Sequence, residues 1–226
     1  MRSLLLGLLL APLTAAAIDD EPRFIGGGLY SRPKFDGSSE RNLDPIPAIR
    51  YMGPRWFART TEGILEGGMR WAVGDSAAIG VQAAYEQGPL DRHPGPSLGV
   101  HADLEGKLGP APLYSVFRLR QFLSNGSGWE ADTRITVGVY EGHGLAAGIY
   151  GQATWANEKI FNRYYAVNDS GLLFSAFGLL GGYDLGDRWL LLFTVEERRL
   201  GDAAMPSPYV TRRSSPYGSL SLAYKF

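Results

Sequence analysis

Apolar and polar residues alternate along much of this chain, and the alternation is clearest in its last ten residues, 217–226. At a period of two, one face of this segment carries the apolar side chains of Leu220, Leu222, Tyr224 and Phe226. The other face carries small or polar residues, namely Ser219, Ser221, Ala223 and Lys225. Such a strand suits a position between lipid and a polar lumen. Its aromatic residues Tyr224 and Phe226 are typical of the closing strand of a membrane β-barrel. The alternative is a soluble strand with an apolar end.

The same pattern predicts twelve antiparallel strands in one transmembrane up-and-down β-barrel. The candidate strands are 24–30, 44–51, 55–60, 64–73, 78–86, 97–108, 112–123, 129–140, 145–155, 172–184, 188–199 and 216–226. Every second connection then has at most four residues, and all the long loops lie at the opposite end, which is the outer-membrane pattern. An even strand number places both termini on the short-turn, periplasmic side. Because proline cannot donate to a ladder, Pro45, Pro47 and Pro54 leave ten strands as the alternative.

Charged side chains are concentrated on the polar faces of four candidate strands, 64–73 and the three successive strands 97–108, 112–123 and 129–140. They are Glu66, Arg70, His101, Asp103, Glu105, Lys107, Arg118, Arg120, Glu130, Asp132 and Arg134. Their signs run acidic, basic and acidic across three successive strands of the meander, and opposite charges on adjacent strands stabilise pairing. We therefore predict an ion-pair network that fills a narrow lumen. The functional alternative is a polar conduit or a small-solute site.

The main structural rival is a soluble barrel with its apolar face inward and its charges in solvent. Four tryptophans argue against it, because they fall near the ends of candidate strands, where a membrane protein places an aromatic girdle. They are Trp71, Trp129, Trp155 and Trp189. The decisive observation is which side of the wall the apolar residues occupy.

The N-terminal residues 1–17 are predicted to be a secretory signal peptide, with residues 18–226 forming the barrel. Arg2 supplies the positive region, residues 4–13 the apolar region, and Ala15-Ala16-Ala17 a small-residue cleavage site. The chain has no cysteine, which excludes disulfides and thiolate metal sites. Its formal net charge of −1 argues against a nucleic-acid partner.

The sequence contains no pattern that indicates catalysis, a cofactor or a metal. The three histidines, His93, His101 and His143, fall in a loop, a strand and a turn and form no HExxH motif. An outer-membrane acyl hydrolase needs Ser, His and an acid on the lipid-facing wall, whereas His101 faces the predicted lumen. We interpret His101 as a hydrogen-bonding member of the network, and the protein as not an enzyme.

Three segments resemble the MipA/OmpV family of outer-membrane proteins. Residues 26–38, GGGLYSRPKFDGS, resemble its GxGxxxxPxYxGS opening, and the pair Pro45-Ile-Pro47 follows. Residues 154–157 and 164–167 resemble its WAN and YxGV segments, with Ala166 where the family usually has Gly. The most specific match is 199–210, RLGDAAMPSPYV, which is similar to the family's RLLGDAADSPIV loop.

This resemblance implies an outer-membrane β-barrel of a Gram-negative cell, surrounded by outer-membrane lipid and without known catalysis. One family member is described as a scaffold that joins a membrane-bound lytic transglycosylase to a penicillin-binding protein in a murein-synthesising complex. The alternative function is a small porin-like channel or a solute-binding barrel with a charged lumen. Within the loop 199–210, the candidate contact residues are Arg199, Gly201, Asp202 and Pro208, because functional residues concentrate on loops.

Overall fold

Twelve antiparallel strands close into one barrel in the computed structural model, which describes residues 23–61, 63–86, 95–123 and 128–226. The strands are β1 (Phe24–Pro33), β2 (Arg41–Met52), β3 (Trp56–Thr61), β4 (Ile64–Ala72), β5 (Ala77–Glu86), β6 (Pro96–Leu108), β7 (Ala111–Phe122), β8 (Trp129–Gly142), β9 (Leu145–Ala156), β10 (Gly171–Asp184), β11 (Trp189–Leu200) and β12 (Ser214–Lys225). Each strand pairs with its neighbours in sequence, and β1 pairs with β12. The prediction of twelve strands is confirmed. The predicted signal peptide and His93 lie outside the described residues.

The backbones of β1 and β12 approach each other closely where the barrel closes. A Cβ atom on Gly26 would lie 2.1 Å from the carbonyl oxygen of Leu222, and one on Gly28 would lie 2.2 Å from that of Leu220. Glycine is therefore required at both positions, since any side chain would push the two strands apart. The Gly-rich start of the chain is thus a closure element of the barrel.

The apolar face of the strands points outward, as predicted. Leu220 on β12 and Phe226 directly after it are 55% and 67% exposed, whereas Ser221 and Ala223 are buried in the interior. The same division holds on β6, where Leu104 is exposed and Asp103 is buried. The rival barrel with its apolar residues inside is therefore excluded.

The two ends of the barrel differ in their connections. At one end, the short-turn end, the connections are 53–55, 73–76, 109–110, 143–144 and 185–188. At the other, the long-loop end, they include the longer segments 34–40, 157–170 and 201–213. Both termini of the barrel lie at the short-turn end. The doubtful segment around Pro45 and Pro47 is a regular strand, and β2 is longer than its predicted span of 44–51.

Aromatic side chains surround both ends of the outer surface. Trp71 and Trp189 lie near the short-turn end, and Trp129 and Trp155 near the long-loop end, all between 39% and 47% exposed. Trp189 packs edge-on against Tyr224, with ring centroids 5.5 Å apart. These positions are those expected of interfacial aromatic residues on a membrane barrel.

A helix folds into the long-loop end. This helix is α1 (Glu158–Tyr165), and it lies in a segment that was predicted to be a loop. Its N-cap is Asn157, whose side chain accepts a hydrogen bond from the backbone N–H of Ile160. Ala166 ends it in the left-handed conformation. Four apolar or aromatic residues of α1 pack against β7, β9, β10, β11 and a short 3-10 turn at Asp202–Ala204: Ile160, Phe161, Tyr164 and Tyr165. No helix among the described residues is long and apolar enough to cross a membrane.

Candidate functional site: the charged lumen

Charged side chains on the inner face of β3 to β8 form one connected cluster, which we call the ion-pair wall. It consists of Arg59, Glu66, Glu86, Asp103, Arg118, Arg120, Glu130 and Asp132. The wall is basic on β3, acidic on β4, β5 and β6, basic on β7 and acidic on β8, and opposite charges on nearby strands stabilise the sheet. Burying so many charges is tolerable only because each one has a partner of opposite sign.

Arg118 is the centre of this wall and is only 1% exposed. Its Nε donates to Asp132 Oδ1 on β8 over 2.7 Å, and its Nη1 lies 3.4 Å from both carboxylate oxygens of Glu66 on β4. One guanidinium group therefore links two carboxylates, Glu66 and Asp132, whose residues lie more than 60 positions apart in the sequence. The planar, permanently charged guanidinium suits this bridging position.

Arg59 extends the wall to β3 and was not among the predicted site residues. It forms an ion pair with Glu66, its register partner on β4, and its Nη1 donates to the Tyr114 hydroxyl over 2.8 Å. That hydroxyl donates in turn to Asp103 over 2.9 Å. The sequence could have revealed Arg59 as a network residue, because it lies at an inward position of the predicted strand 55–60.

Arg120 closes the other end of the wall, beneath α1. Its Nη2 donates to Glu130 over 3.2 Å, and its guanidinium lies 3.6 Å from Glu86 and 3.7 Å from Asp132. Three carboxylates thus surround one arginine. This end of the wall therefore has more carboxylates than arginines.

The remaining predicted network residues occupy other positions on β4, β6 and β8. Arg70 and Arg134 are buried, and Arg134 stacks over the Tyr150 ring, 3.8 Å from its centroid. Glu105 is half-buried and Lys107 is exposed, both near the short-turn end of β6.

His101 is buried in the wall, but its role differs from the prediction. Its Nε2 lies 3.7 Å from Asp103 Oδ2, which is too long for a hydrogen bond, and its ring packs edge-on against Phe57 with centroids 4.7 Å apart. Among the described residues neither ring nitrogen of His101 has a hydrogen-bond partner, which contradicts the prediction that His101 hydrogen-bonds within the network. Its register partner on β7 is Arg118, whose guanidinium turns to Glu66 and Asp132 instead.

A second polar cluster, the mouth clamp, lies at the long-loop end and consists of Asp36, Glu196, Arg198 and Tyr217. Arg198 Nη2 donates to Glu196 over 2.8 Å, and its Nη1 donates to Asp36 over 3.3 Å. Tyr217 also donates to Asp36, and the Arg198 guanidinium lies 4.3 Å from the Tyr217 ring centroid. Asp36 comes from the connection between β1 and β2, so this loop is tied to β11 and β12, the two strands that follow β1 around the barrel. Alternation within strands could not reveal a partner that comes from a loop.

The helix and the clamp together close the long-loop end. A cavity of about 70 Å³ remains beneath α1, lined by residues that include Asp36, Glu130, Tyr165 and Arg198. Burial, with a smaller contribution from the Asp36 carboxylate, raises the pKa of Tyr165 well above its usual range. Tyr165 therefore stays a neutral phenol that packs in the mouth.

A larger cavity of about 150 Å³ lies deeper in the lumen. Its polar lining includes Arg50, Arg59, Arg118 and Arg134, with Glu196 on the opposite wall. Its apolar lining includes Ile46, Ala48, Leu180 and Leu192. The part of the chain that the structure describes has no cluster of side chains suited to hold a metal ion.

The four predicted contact residues of the loop 199–210 do not form one surface. Arg199 lies on β11 and points outward, and Pro208 is exposed. Asp202 forms an ion pair with Arg213. Gly201 is buried, and its backbone N–H donates to the carbonyl of Leu173 over 2.8 Å. At least Gly201 and Asp202 therefore hold the loop in place, whatever else the loop does.

These features define a closed, twelve-strand transmembrane β-barrel whose lumen is crossed by ion pairs and covered by a folded loop. A family model described as "MltA-interacting protein MipA" matches residues 25–226. The chain belongs to this MipA family. No curated protein matches the chain in sequence.

Solved outer-membrane proteins are similar to this barrel to different degrees. A NanC porin structure has a TM-score of 0.57 at 10% sequence identity, covering 90% of this chain and 100% of that one. A bacterial polysaccharide outer membrane secretin has a TM-score of 0.47 at 9% identity, with coverages of 91% and 98%. LpxR from Salmonella typhimurium has a TM-score of 0.43 at 9% identity, with coverages of 91% and 100%. At such identities the likeness to the NanC porin concerns the fold alone.

Proposed function

We propose that this protein is a non-enzymatic barrel of the Gram-negative outer membrane that serves as a scaffold at its periplasmic end. Its partners are a lytic transglycosylase of the MltA type and, through it, a penicillin-binding protein. The family description, which names an interaction with MltA, supports the partner. Outer-membrane barrels keep their short turns in the periplasm, so the short-turn end is the docking end.

The closed lumen is the observation that supports a structural role over a transport role. Arg118 and Arg120 cross it in ion pairs with carboxylates from β4 and β8, and α1 covers the long-loop end. A twelve-strand barrel conducts only if side chains leave its lumen open. A porin-like role is therefore the weaker candidate, and we expect no steady conductance from the purified protein in planar bilayers. A stable single-channel current would overturn this part of the proposal.

The short-turn end offers a docking strip where two hairpins extend further than their neighbours. β6 pairs with β5 up to Leu104 and then continues to Leu108, which is 64% exposed. On the neighbouring β8–β9 hairpin, Val139 and Tyr140 are 52% and 45% exposed. A standard interface buries ~800 Å² on each partner, so the docking surface must include adjacent turns as well as these hairpins.

Site-specific photo-crosslinking in cells tests this docking strip. A benzoylphenylalanine at Leu108 or Tyr140 is expected to capture the lytic transglycosylase. The same residue at Met205, which is exposed at the long-loop end, is the matched control and is expected to capture none. Equal capture from both ends, or none from the short-turn end, would refute the scaffold role. Hydrolysis assays on lipid and murein with the purified barrel are expected to be negative.

A further inference from the structure

A row of arginines lies on the outer face of the barrel at the long-loop end, across the neighbouring strands β11, β12, β1 and β2. Arg199 is exposed near the end of β11, Arg41 is exposed at the start of β2, and Arg212 is exposed in the connection that leads into β12. We call these three residues the arginine row. Among the residues that the structure describes, none of the three forms an ion pair with a carboxylate.

Hydrogen bonds hold two members of the arginine row over the strands where the barrel closes. Arg41 Nη2 donates to the Ser31 hydroxyl on β1, and Arg41 Nη1 donates to the carbonyl of Pro216 on β12, both over 2.9 Å. The backbone N–H of Arg212 donates to the carbonyl of Gly37, in the connection between β1 and β2, over 3.0 Å. All these acceptors are neutral, so the hydrogen bonds position the arginines without cancelling their charge.

The local charge around the arginine row is positive. At the long-loop end of these four strands and in the connections between them, Glu40 pairs with Lys34 and Asp202 pairs with Arg213. The outward carboxylate that remains in this described part of the surface is Glu197 on β11. Three arginines against one carboxylate favour an anionic ligand. A phosphate suits planar guanidinium groups in particular, because each of them can donate two parallel hydrogen bonds to it.

The arginine row borders the lipid-facing surface. The outward residues of the same strands nearer the middle of the barrel are apolar and 52–64% exposed, namely Leu29, Leu43, Val195 and Leu220. Arg41 is two residues beyond Leu43 and Arg199 is four residues beyond Val195, which is roughly 7 Å and roughly 14 Å along a strand. Because membrane strands are tilted and the headgroup layer is roughly 5–8 Å thick on each side, flexible arginine side chains at these heights reach lipid headgroups.

Aromatic and apolar residues take the corresponding positions on another side of the barrel. They are Tyr85 on β5, Leu98 on β6, Trp129 on β8 and Trp155 on β9, all between 39% and 52% exposed. Aromatic residues anchor any membrane barrel at the interface, whereas a cluster of arginines selects negative charge. The arginine row therefore distinguishes one side of the outer surface from another.

We propose that the arginine row binds the phosphate headgroup of a lipid in the outer leaflet of the outer membrane. Because outer-membrane barrels keep their short turns in the periplasm, the long-loop end is the end that meets this leaflet. The acyl chains of the lipid lie on Leu29, Val195 and Leu220, which connect the row to the lipid-facing wall. This site is independent of the scaffold role, since it lies at the opposite end of the barrel.

Native mass spectrometry of the barrel in neutral detergent tests the ligand class. The probe is lipid A with two phosphate groups, and the matched control is the same lipid after removal of both phosphates. Phosphatidylcholine, whose headgroup has no net charge, is the second control. We expect lipid A to be retained at least tenfold more strongly than either control. Equal retention of lipid A and a control, or displacement of lipid A by an equal concentration of inorganic phosphate, would overturn the proposal.

Charge-neutralising variants test the three arginines. Arg41→Gln is expected to weaken retention of lipid A about fivefold, which is the contribution of one basic residue near an anionic surface. The triple variant Arg41→Gln/Arg199→Gln/Arg212→Gln is expected to weaken it at least tenfold. The controls are Arg163→Gln, exposed on α1 at the same end, and Arg188→Gln, exposed at the short-turn end, and both are expected to leave retention unchanged. Folding of each variant is checked by the faster gel mobility of the unboiled barrel. A control that weakens retention as much as Arg41→Gln would refute the assignment.

A photoreactive lipid A tests where the lipid lies on the barrel. With a diazirine in one acyl chain, crosslinks formed in lipid nanodiscs and mapped by peptide mass spectrometry are expected mainly on β11, β12, β1 and β2, with few on β5 to β8. In the triple variant this preference is expected to disappear, because the apolar wall alone does not select one side. Crosslinks spread evenly around the unchanged barrel, or a preference that persists in the triple variant, would refute the proposed site.

Discussion

The ion-pair wall and the mouth clamp are both buried clusters of charge, but they are assembled differently. In the wall, every ion pair joins residues on strands, as Arg118 does with Glu66 and Asp132. In the clamp, Arg198 on β11 holds Asp36, which reaches inward from a loop 162 residues earlier in the chain. The wall is part of the barrel's pairing pattern, whereas the clamp fastens a loop onto a barrel that is already closed. We therefore expect damage to the wall to weaken the whole barrel and damage to the clamp to loosen mainly the mouth.

The largest effect is expected from Arg118→Ala. The change leaves Glu66 and Asp132, both at most 1% exposed, without their shared counter-charge, and breaking a buried ion pair costs about 3–5 kcal/mol. The free energy of unfolding in urea, measured by tryptophan fluorescence in detergent or lipid, should fall by this amount. Arg41→Ala, at the long-loop end of β2, is the control and should change little. An unchanged unfolding curve for the double variant Arg118→Ala/Arg120→Ala would remove the network as a source of stability.

Phe161→Ala is expected to have the next largest effect, confined to the mouth. Phe161 is completely buried at the centre of the cluster that holds α1, and removing a buried phenylalanine side chain costs about 3 kcal/mol or more. Because α1 covers the lumen without forming the barrel wall, proteolysis within 157–170 should become faster while the unboiled gel mobility persists. Glu158→Ala, an exposed change in the same helix, is the control. Loss of the folded barrel itself would contradict this division between mouth and wall.

A smaller effect is expected from Arg198→Ala, which removes the central residue of the clamp. Charge-assisted hydrogen bonds are worth about 1.5–3 kcal/mol, and some of this is recovered because the Arg198 side chain is 11% exposed and Asp36 18% exposed, so that water can reach both. Amide hydrogen exchange should rise in the 34–40 connection before it rises in any strand. Arg199→Ala, which changes the outward neighbour, is the control. Faster exchange in β3 to β8 instead would mean that clamp and wall are one cooperative unit.

The smallest effect is expected from Lys34→Ala, at the outer surface of the same connection. A hydrogen bond from Lys34 lowers the pKa of the exposed Glu40 below its ordinary value. A carboxylate with a lowered folded pKa contributes stability above its unfolded pKa and loses it as pH falls through the folded pKa. In Lys34→Ala, NMR titration of Glu40 should give a pKa near the ordinary value, with barrel unfolding at neutral pH almost unchanged. If the pKa of Glu40 is the same in Lys34→Ala as in the unchanged protein, the pair does not form in solution.

The sequence contains the features of helix α1, but the prediction from strand alternation did not include this helix. Asn157 is a good N-cap, and Ile160, Phe161 and Tyr164 follow at spacings that place them on one helical face. The segment was interpreted as a loop because it lies between two strands in a pattern of long connections. Its apolar face has a partner only because the mouth of the barrel is apolar at that point.

The sequence by itself determined that apolar and polar residues occupy opposite faces of the strands and that the short turns lie at one end, and it predicted twelve strands with ten as the alternative. Alternation is a local property of each strand, so residues such as Leu220 and Ser221 reveal their sides without any knowledge of the fold. Only the tertiary structure decided that Arg59 and Arg118 both pair with Glu66, that Asp36 pairs with Arg198, and that β3 is shorter than β2. These features depend on distances between segments that are far apart in the chain, and such distances exist only once the barrel has closed.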